Sequence, residues 1–204
     1  MISIVDCGMG NLGSVRNMFN YIDVPSEVVS SVAAIEQAQK LILPGVGSWD
    51  HGLANLTRSG LREVLDHKVL TQKVPLLGIC LGMQVLAESS QEGDLPGLGW
   101  IPGKVVRFGD DVLEQGLKIP HMGWNRVFSR RTNVLTDSLP DDPRFYFVHS
   151  FHFCCSDPSD VLMTSKHGSE FVCAVQRDNI YGVQFHPEKS HKFGLALMKS
   201  FSEL

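Results

Sequence analysis

Two short segments of this 204-residue chain hold side chains whose types and spacing suit attack on a carbonyl carbon. In Pro75-Leu-Leu-Gly-Ile-Cys-Leu-Gly-Met-Gln84 one cysteine, Cys80, stands where an apolar run ends and helical spacing begins. Gly78 and Gly82 flank it two residues away on either side, so the backbone can turn sharply and helix and strand can approach closely. A thiol at such a corner sits at a helix N-terminus, which favours thiolate over thiol. The second segment, Gly182-Val-Gln-Phe-His-Pro-Glu188, offers the partners a nucleophilic cysteine needs. Pro187 biases His186 toward extended backbone, and residues two apart on an extended chain share a side, so Glu188 can orient the His186 ring and leave its other nitrogen for Cys80. Cys80, His186 and Glu188 are therefore the candidate catalytic group.

These residues need a scaffold, and the first ninety residues predict one. Ile2–Val5, Ser26–Val29, Lys40–Leu43 and Leu76–Ile79 read as strands. Helical patterning falls at about 14–22, 32–39, 49–56, 61–68 and 81–88, with Ser30 or Ser31 as one cap. That alternation predicts an α/β fold with an open, mostly parallel central sheet and flanking helices. Ligands bind beyond the carboxyl ends of such strands, and there lie Cys80, the glycine turn 8–11 and the loop 44–47. The loop Pro44-Gly-Val-Gly47 has the backbone freedom to turn an N–H toward a ligand. After Gly93 the texture changes to short strands at about 104–108, 124–128, 144–147, 151–155, 161–165, 171–176 and 180–185, closed by a helix at about 190–201 with Ser190 as its N-cap. This β-rich C-terminal half reads as an extension of the same core, giving a single domain over residues 1–204.

Composition excludes several classes. With a formal charge of -4 and no basic run, the chain lacks the footprint needed for nucleic acid or an anionic membrane. No apolar stretch reaches membrane-span length, and the N-terminus lacks the charge pattern of a signal peptide, so a cytoplasmic protein is expected. Five cysteines without a C-x-x-C pair argue against a disulfide framework or a zinc knuckle. Gly8-x-Gly10-x-x-Gly13 has no acidic residue after a second strand to hold a ribose, which argues against a dinucleotide site. His149, His152, Cys154 and Cys155 crowd together, but strand alternation pairs His149 with Cys155 and His152 with Cys154, against a metal site. Neither metal nor cofactor is expected, and Cys7 reads as a small buried hydrophobe.

Gly8-Met-Gly-Asn11, Pro44-Gly-Val-Gly47, Gly78-Ile-Cys-Leu-Gly-Met-Gln84, Pro120-His-Met-Gly-Trp-Asn125, Tyr146-Phe-Val-His-Ser150 and Gly182-Val-Gln-Phe-His-Pro-Glu-Lys-Ser190 occur in this order along nearly the whole chain. Together they resemble the class I (triad) glutamine amidotransferases, a flavodoxin-like family, and within it the glutaminase subunits of imidazole glycerol phosphate synthase. The resemblance implies attack by Cys80 on the glutamine side-chain amide, proton relay by His186 and orientation by Glu188. It also implies an oxyanion site at Leu81 and, after a peptide rearrangement, Val46 and Gly47. Gln84, Glu92, Ser150 and Phe151 would hold the glutamine. Asn11, Trp124, Tyr146 and Lys189 would meet a (β/α)8-barrel cyclase subunit that receives ammonia and forms imidazole glycerol phosphate and an aminoimidazole carboxamide ribotide. The same glutaminase architecture also resembles one serving surface-polysaccharide sugar modification, and a stand-alone cysteine hydrolase is a more distant reading.

Overall fold

The computed structural model describes residues 1–204. Its strands are β1 (Ile2–Val5), β2 (Ser26–Val29), β3 (Leu41–Gly45), β4 (Leu76–Cys80), β5 (Ser89–Ser90), β6 (Gly103–Arg107), β7 (His121–Arg126), β8 (Phe128–Ser129), β9 (Arg144–His149), β10 (Phe151–Cys155), β11 (Val161–His167), β12 (Ser169–Arg177) and β13 (Ile180–Val183). Its α-helices are α1 (Leu12–Tyr21), α2 (Val32–Glu36), α3 (Trp49–Arg58), α4 (Leu61–Asp66), α5 (Leu81–Gln84), α6 (Asp110–Glu114), α7 (Val134–Asp137) and α8 (His191–Ser202). The main sheet runs β2-β1-β3-β4-β13-β12-β10-β6-β5, with β11 and then β8 attached beside β12. From β2 to β13 every neighbour is parallel, whereas β13, β12, β10 and β6 follow one another antiparallel. The β-rich half thus continues the sheet through β13.

The parallel strands are apolar on both faces because helices cover both. Successive residues divide between two cores, as extended backbone requires. Leu41 and Leu43 join Leu53, Leu56 and Leu61 on one face. Ile42, Leu77 and Ile79 join Val15, Phe19, Leu197 and Phe201 on the other. The strands β7 and β9 form a separate antiparallel pair, with Trp124 opposite Tyr146.

Three local expectations change. The helix after Cys80, expected to run to 88, ends at Gln84. The N–H groups that would continue it bond elsewhere: Leu86 N–H donates to Met83 O and Ala87 N–H to Gln84 O, each three residues back, and Glu88 N–H donates to Gly103 O at the start of β6. A single turn has almost no macrodipole, so the corner contributes through its first N–H groups instead. Ser190 does not cap α8 with its side chain. Its hydroxyl donates to His186 O at 2.6 Å and accepts from Tyr146 N–H at 3.0 Å, tying the histidine segment to β9. Finally, His149 and Cys155 do not share a strand face, because Ser150 breaks the run and β9 and β10 belong to different sheets.

Candidate active site

Strand β4 ends at Cys80 with φ 55 and ψ -111, a left-handed conformation rare for a residue with a side chain. Such strain persists only where surrounding contacts impose it. Here they do: a Cβ on Gly78 would lie 2.5 Å from Gly82 O, and one on Gly82 would overlap the Leu43 carbonyl. Strands β3 and β4 and the turn α5 therefore meet through bare backbone, and Cys80 is forced outward at their junction.

His186 follows β13 in extended conformation, its N–H donating to Tyr146 O at 2.9 Å. Its Nδ1 lies 2.7 Å from Glu188 Oε1, with both side chains at most 5% exposed. Burial alone would lower the His186 pKa, but the Cys80 sulfur and the Glu188 carboxylate outweigh it and lift the ring to about 9. The ring therefore holds its proton at neutral pH. His186 Nε2 is buried and has no hydrogen-bond partner. A carboxylate, an imidazolium and a thiol in this order can pass a proton to a leaving group on the carbon the sulfur attacks.

A cavity of about 280 Å³ opens at this corner, lined by Gly47, Cys80, Leu81, Gln84, Glu92, Ser150 and Phe151 among others. The structure thus brings the residues expected at the oxyanion site and around glutamine to one place, except Val46. The Val46 N–H donates to Met9 O at 2.5 Å, so it is aimed at the glycine turn and away from Cys80. Gly47, at φ 110, follows it in a conformation that favours glycine. Glu92 accepts from Trp49 N–H at 3.0 Å, holding the start of α3, where Ser48 makes no side-chain cap. Burial raises its carboxyl pKa and that bond partly offsets the rise. Gln84 donates from Nε2 to Phe151 O at 3.1 Å and to Gln184 Oε1 at 2.9 Å.

The expected interface residues lie at the surface outside this cavity. Trp124, 47% exposed, stacks on His191 with ring planes 2° apart and meets Tyr146 edge-on at 6.4 Å. Lys189 Nζ stands 5.5 Å from the Tyr146 ring centroid. Asn11 caps α1, accepting from Ser14 N–H at 3.3 Å, two residues beyond Met9. Glu188 itself lines a second, larger groove of about 630 Å³ with residues of α1 and α8, so the back of the candidate catalytic group faces this surface.

Two features escaped the sequence reading. Gln184 is fully buried, with Nε2 3.7 Å from Cys80 Sγ. Its place two residues before His186 on an extended chain was the available signal. His149 donates from Nδ1 to Phe151 O at 2.8 Å, so its Nε2 accepts from His121 Nδ1 at 3.0 Å. Burial holds both rings neutral at pH 7, lowering His121 to about 4 and His149 well below the ordinary value. Cys7 is buried and its thiol is pushed up to about 12, as an inert hydrophobe would be.

The glutamine amidotransferase class-I family matches residues 3–202. Imidazole glycerol phosphate synthase subunit HisH 2 of Methanococcus maripaludis is 53% identical over 201 residues, covering 98% of each chain. Subunit HisH of Bdellovibrio bacteriovorus is 50% identical over 204 residues, covering all of both chains. Among solved structures, a glutamine amidotransferase superposes with a TM-score of 0.76 at 18% identity over 100% of this chain and 98% of the other. A chain of PurLQS from Thermotoga maritima gives 0.76 at 17% identity, over 99% and 97%. At such identities the superpositions speak for the fold alone. The family match and the full-length relatives together show that the chain belongs to the class I glutamine amidotransferase family, in the group of imidazole glycerol phosphate synthase HisH subunits.

Proposed function

We propose that this chain is the glutaminase subunit of an imidazole glycerol phosphate synthase in histidine biosynthesis, releasing ammonia from glutamine for a cyclase partner. The observation that carries the chemistry is Cys80 on its strained corner, in one cavity with Gln84, Glu92 and Ser150 and beside the buried His186–Glu188 pair. Cys80 Sγ attacks the side-chain carboxamide carbon of glutamine. His186 gives its Nε2 proton to the departing nitrogen, which leaves as ammonia, and a thioester remains on Cys80. Water then attacks the thioester carbon with His186 taking its proton, and glutamate is released. Glu188 keeps the ring oriented and its charge balanced through both steps. The backbone N–H of Leu81 serves the oxyanion, joined by that of Val46 once the Val46–Met9 bond opens; one such donor contributes about 3 kcal/mol to transition-state stabilisation. Gln84, Glu92, Ser150 and Phe151 hold the amino-acid end of the substrate.

The partner is a (β/α)8-barrel cyclase subunit docked over Asn11, Trp124, Tyr146 and Lys189. An exposed tryptophan held between Tyr146 and His191, beside a lysine, is the kind of surface that anchors an interface. Ammonia set free in neutral water becomes ammonium, which has no lone pair to react, so the product must pass directly between subunits. No helix is long and apolar enough to cross a membrane. A cytoplasmic complex built on one amidotransferase domain completes the reading. Glutamate release, measured for the chain alone and then with the barrel subunit and its ligand, tests it. Slow release alone and much faster release in the complex is the expected result; no release in either condition would overturn it.

A further inference from the structure

The buried amides beside Cys80 form a chain with a fixed direction. Phe151 O can only accept, and it does so from His149 Nδ1 at 2.8 Å and from Gln84 Nε2 at 3.1 Å. That contact sets which end of the Gln84 amide faces β10. The second Nε2 hydrogen of Gln84 goes to Gln184 Oε1 at 2.9 Å, which in turn sets the Gln184 amide. What remains is the Gln184 Nε2, and it faces Cys80 Sγ at 3.7 Å. Turning the Gln184 amide over would oppose two NH2 groups and aim an oxygen lone pair at the sulfur. Gln184 is 0% exposed, so no solvent competes for its amide.

We propose that Gln184 is a further catalytic residue: its side-chain amide donates a hydrogen bond to the Cys80 thiolate, stabilising it over the thiol. A donor favours the charged sulfur, and hydrogen bonds to charged groups in buried sites are the strong ones. His186 supplies the opposite charge and the proton; Gln184 transfers none. It holds the sulfur in its attacking form until the carbon–sulfur bond makes, and holds it again when the thioester breaks. Gln84 and the Phe151 carbonyl act on the sulfur only through Gln184, as positioning groups. This assignment rests on the glutaminase reading for its purpose but not for its test.

The test is the pH dependence of Cys80 alkylation by iodoacetamide, which needs neither glutamine nor a partner. The other four thiols, Cys7, Cys154, Cys155 and Cys173, are all raised by burial, so reaction near neutral pH reports Cys80. Gln184→Met keeps length and apolar packing but removes the donor. The expected result is a midpoint about one pH unit higher and alkylation about tenfold slower below it, with the fold intact by circular dichroism. A role in packing alone would change the melting temperature and leave the midpoint in place, and that outcome overturns the proposal. In the unmodified chain the Gln184 side-chain amide NMR signals must titrate with Cys80 and stop titrating in Cys80→Ser. Signals indifferent to the thiol overturn it equally, whether or not the Met variant folds.

Discussion

The flank of Cys80 proposed to handle protons is assembled at rest, with His186 Nδ1 2.7 Å from Glu188 in a buried pair, whereas the flank that would bind the carbonyl oxygen is not, because the Val46 N–H is spent on Met9 O. The first flank sits beyond β13 on a turn fixed by Ser190; the second is the Val46-Gly47 stretch just after β3, which itself runs through Pro44 and Gly45 rather than ending at Leu43 as expected, and Val46 is 47% exposed. Burial and exposure differ as the two tasks differ. Proton relay tolerates little misplacement, while a peptide that turns between two acceptors can hold catalysis back until a partner is present. The loop's acceptor, Met9, lies two residues from Asn11 on the proposed docking surface, so the resting latch and the interface share one short turn.

Variants can break this asymmetry from either side. Cys80→Ala removes what both flanks serve, and glutamate release should fall at least about 10⁴-fold in the complex while the chain still binds its partner. Val46→Pro deletes the loop's N–H: partner-stimulated release should drop about 10² to 10³-fold, with the rate of Cys80 alkylation unchanged. Equal losses in both readouts would mean the flanks are not separable. Glu188→Gln strikes the other side, and turnover should fall on the order of 10²-fold.

Glu188→Gln also has a signature in stability. The His186 pKa is raised in the folded chain, so its contribution is complete below pH 6.5 and is lost as pH rises through about 9. That window is worth on the order of 3 kcal/mol in unfolding free energy, read from denaturant titrations across it, and the Gln variant should flatten the slope. Trp124→Ala should have the smallest effect, weakening partner affinity about tenfold by titration calorimetry and leaving partner-free alkylation alone.

Much of this was readable from residue order. The parallel strands announced themselves as apolar runs, and Cys80 between Gly78 and Gly82, with His186 two residues from Glu188, needed only the geometry of a corner and an extended chain. What was not readable depends on distant segments or on a single peptide plane. Helical spacing continues through Ala87, yet α5 stops at Gln84, because Leu86 and Ala87 N–H tighten onto carbonyls three residues back and Glu88 N–H is taken by the distant Gly103 O. Ser190 has the right type for a cap, and a long-range bond to Tyr146 N–H takes its hydroxyl instead. The pairing of His121 with His149 depends on β7 lying against β9, which local periodicity does not encode. Nor does Gly-Val-Gly state which way the Val46 N–H points, since glycine on both sides permits either.

The most direct measurement sets the two flanks against each other in one preparation. Cys80 alkylation by iodoacetamide and glutamate release are followed at pH 7 for the free chain and for the complex with the barrel subunit and its ligand. Alkylation, which needs no oxyanion donor, should change little, while glutamate release should rise by orders of magnitude, about the 10² to 10³-fold that one donor supplies. Release that is equally fast with and without the partner would contradict a latch at Val46.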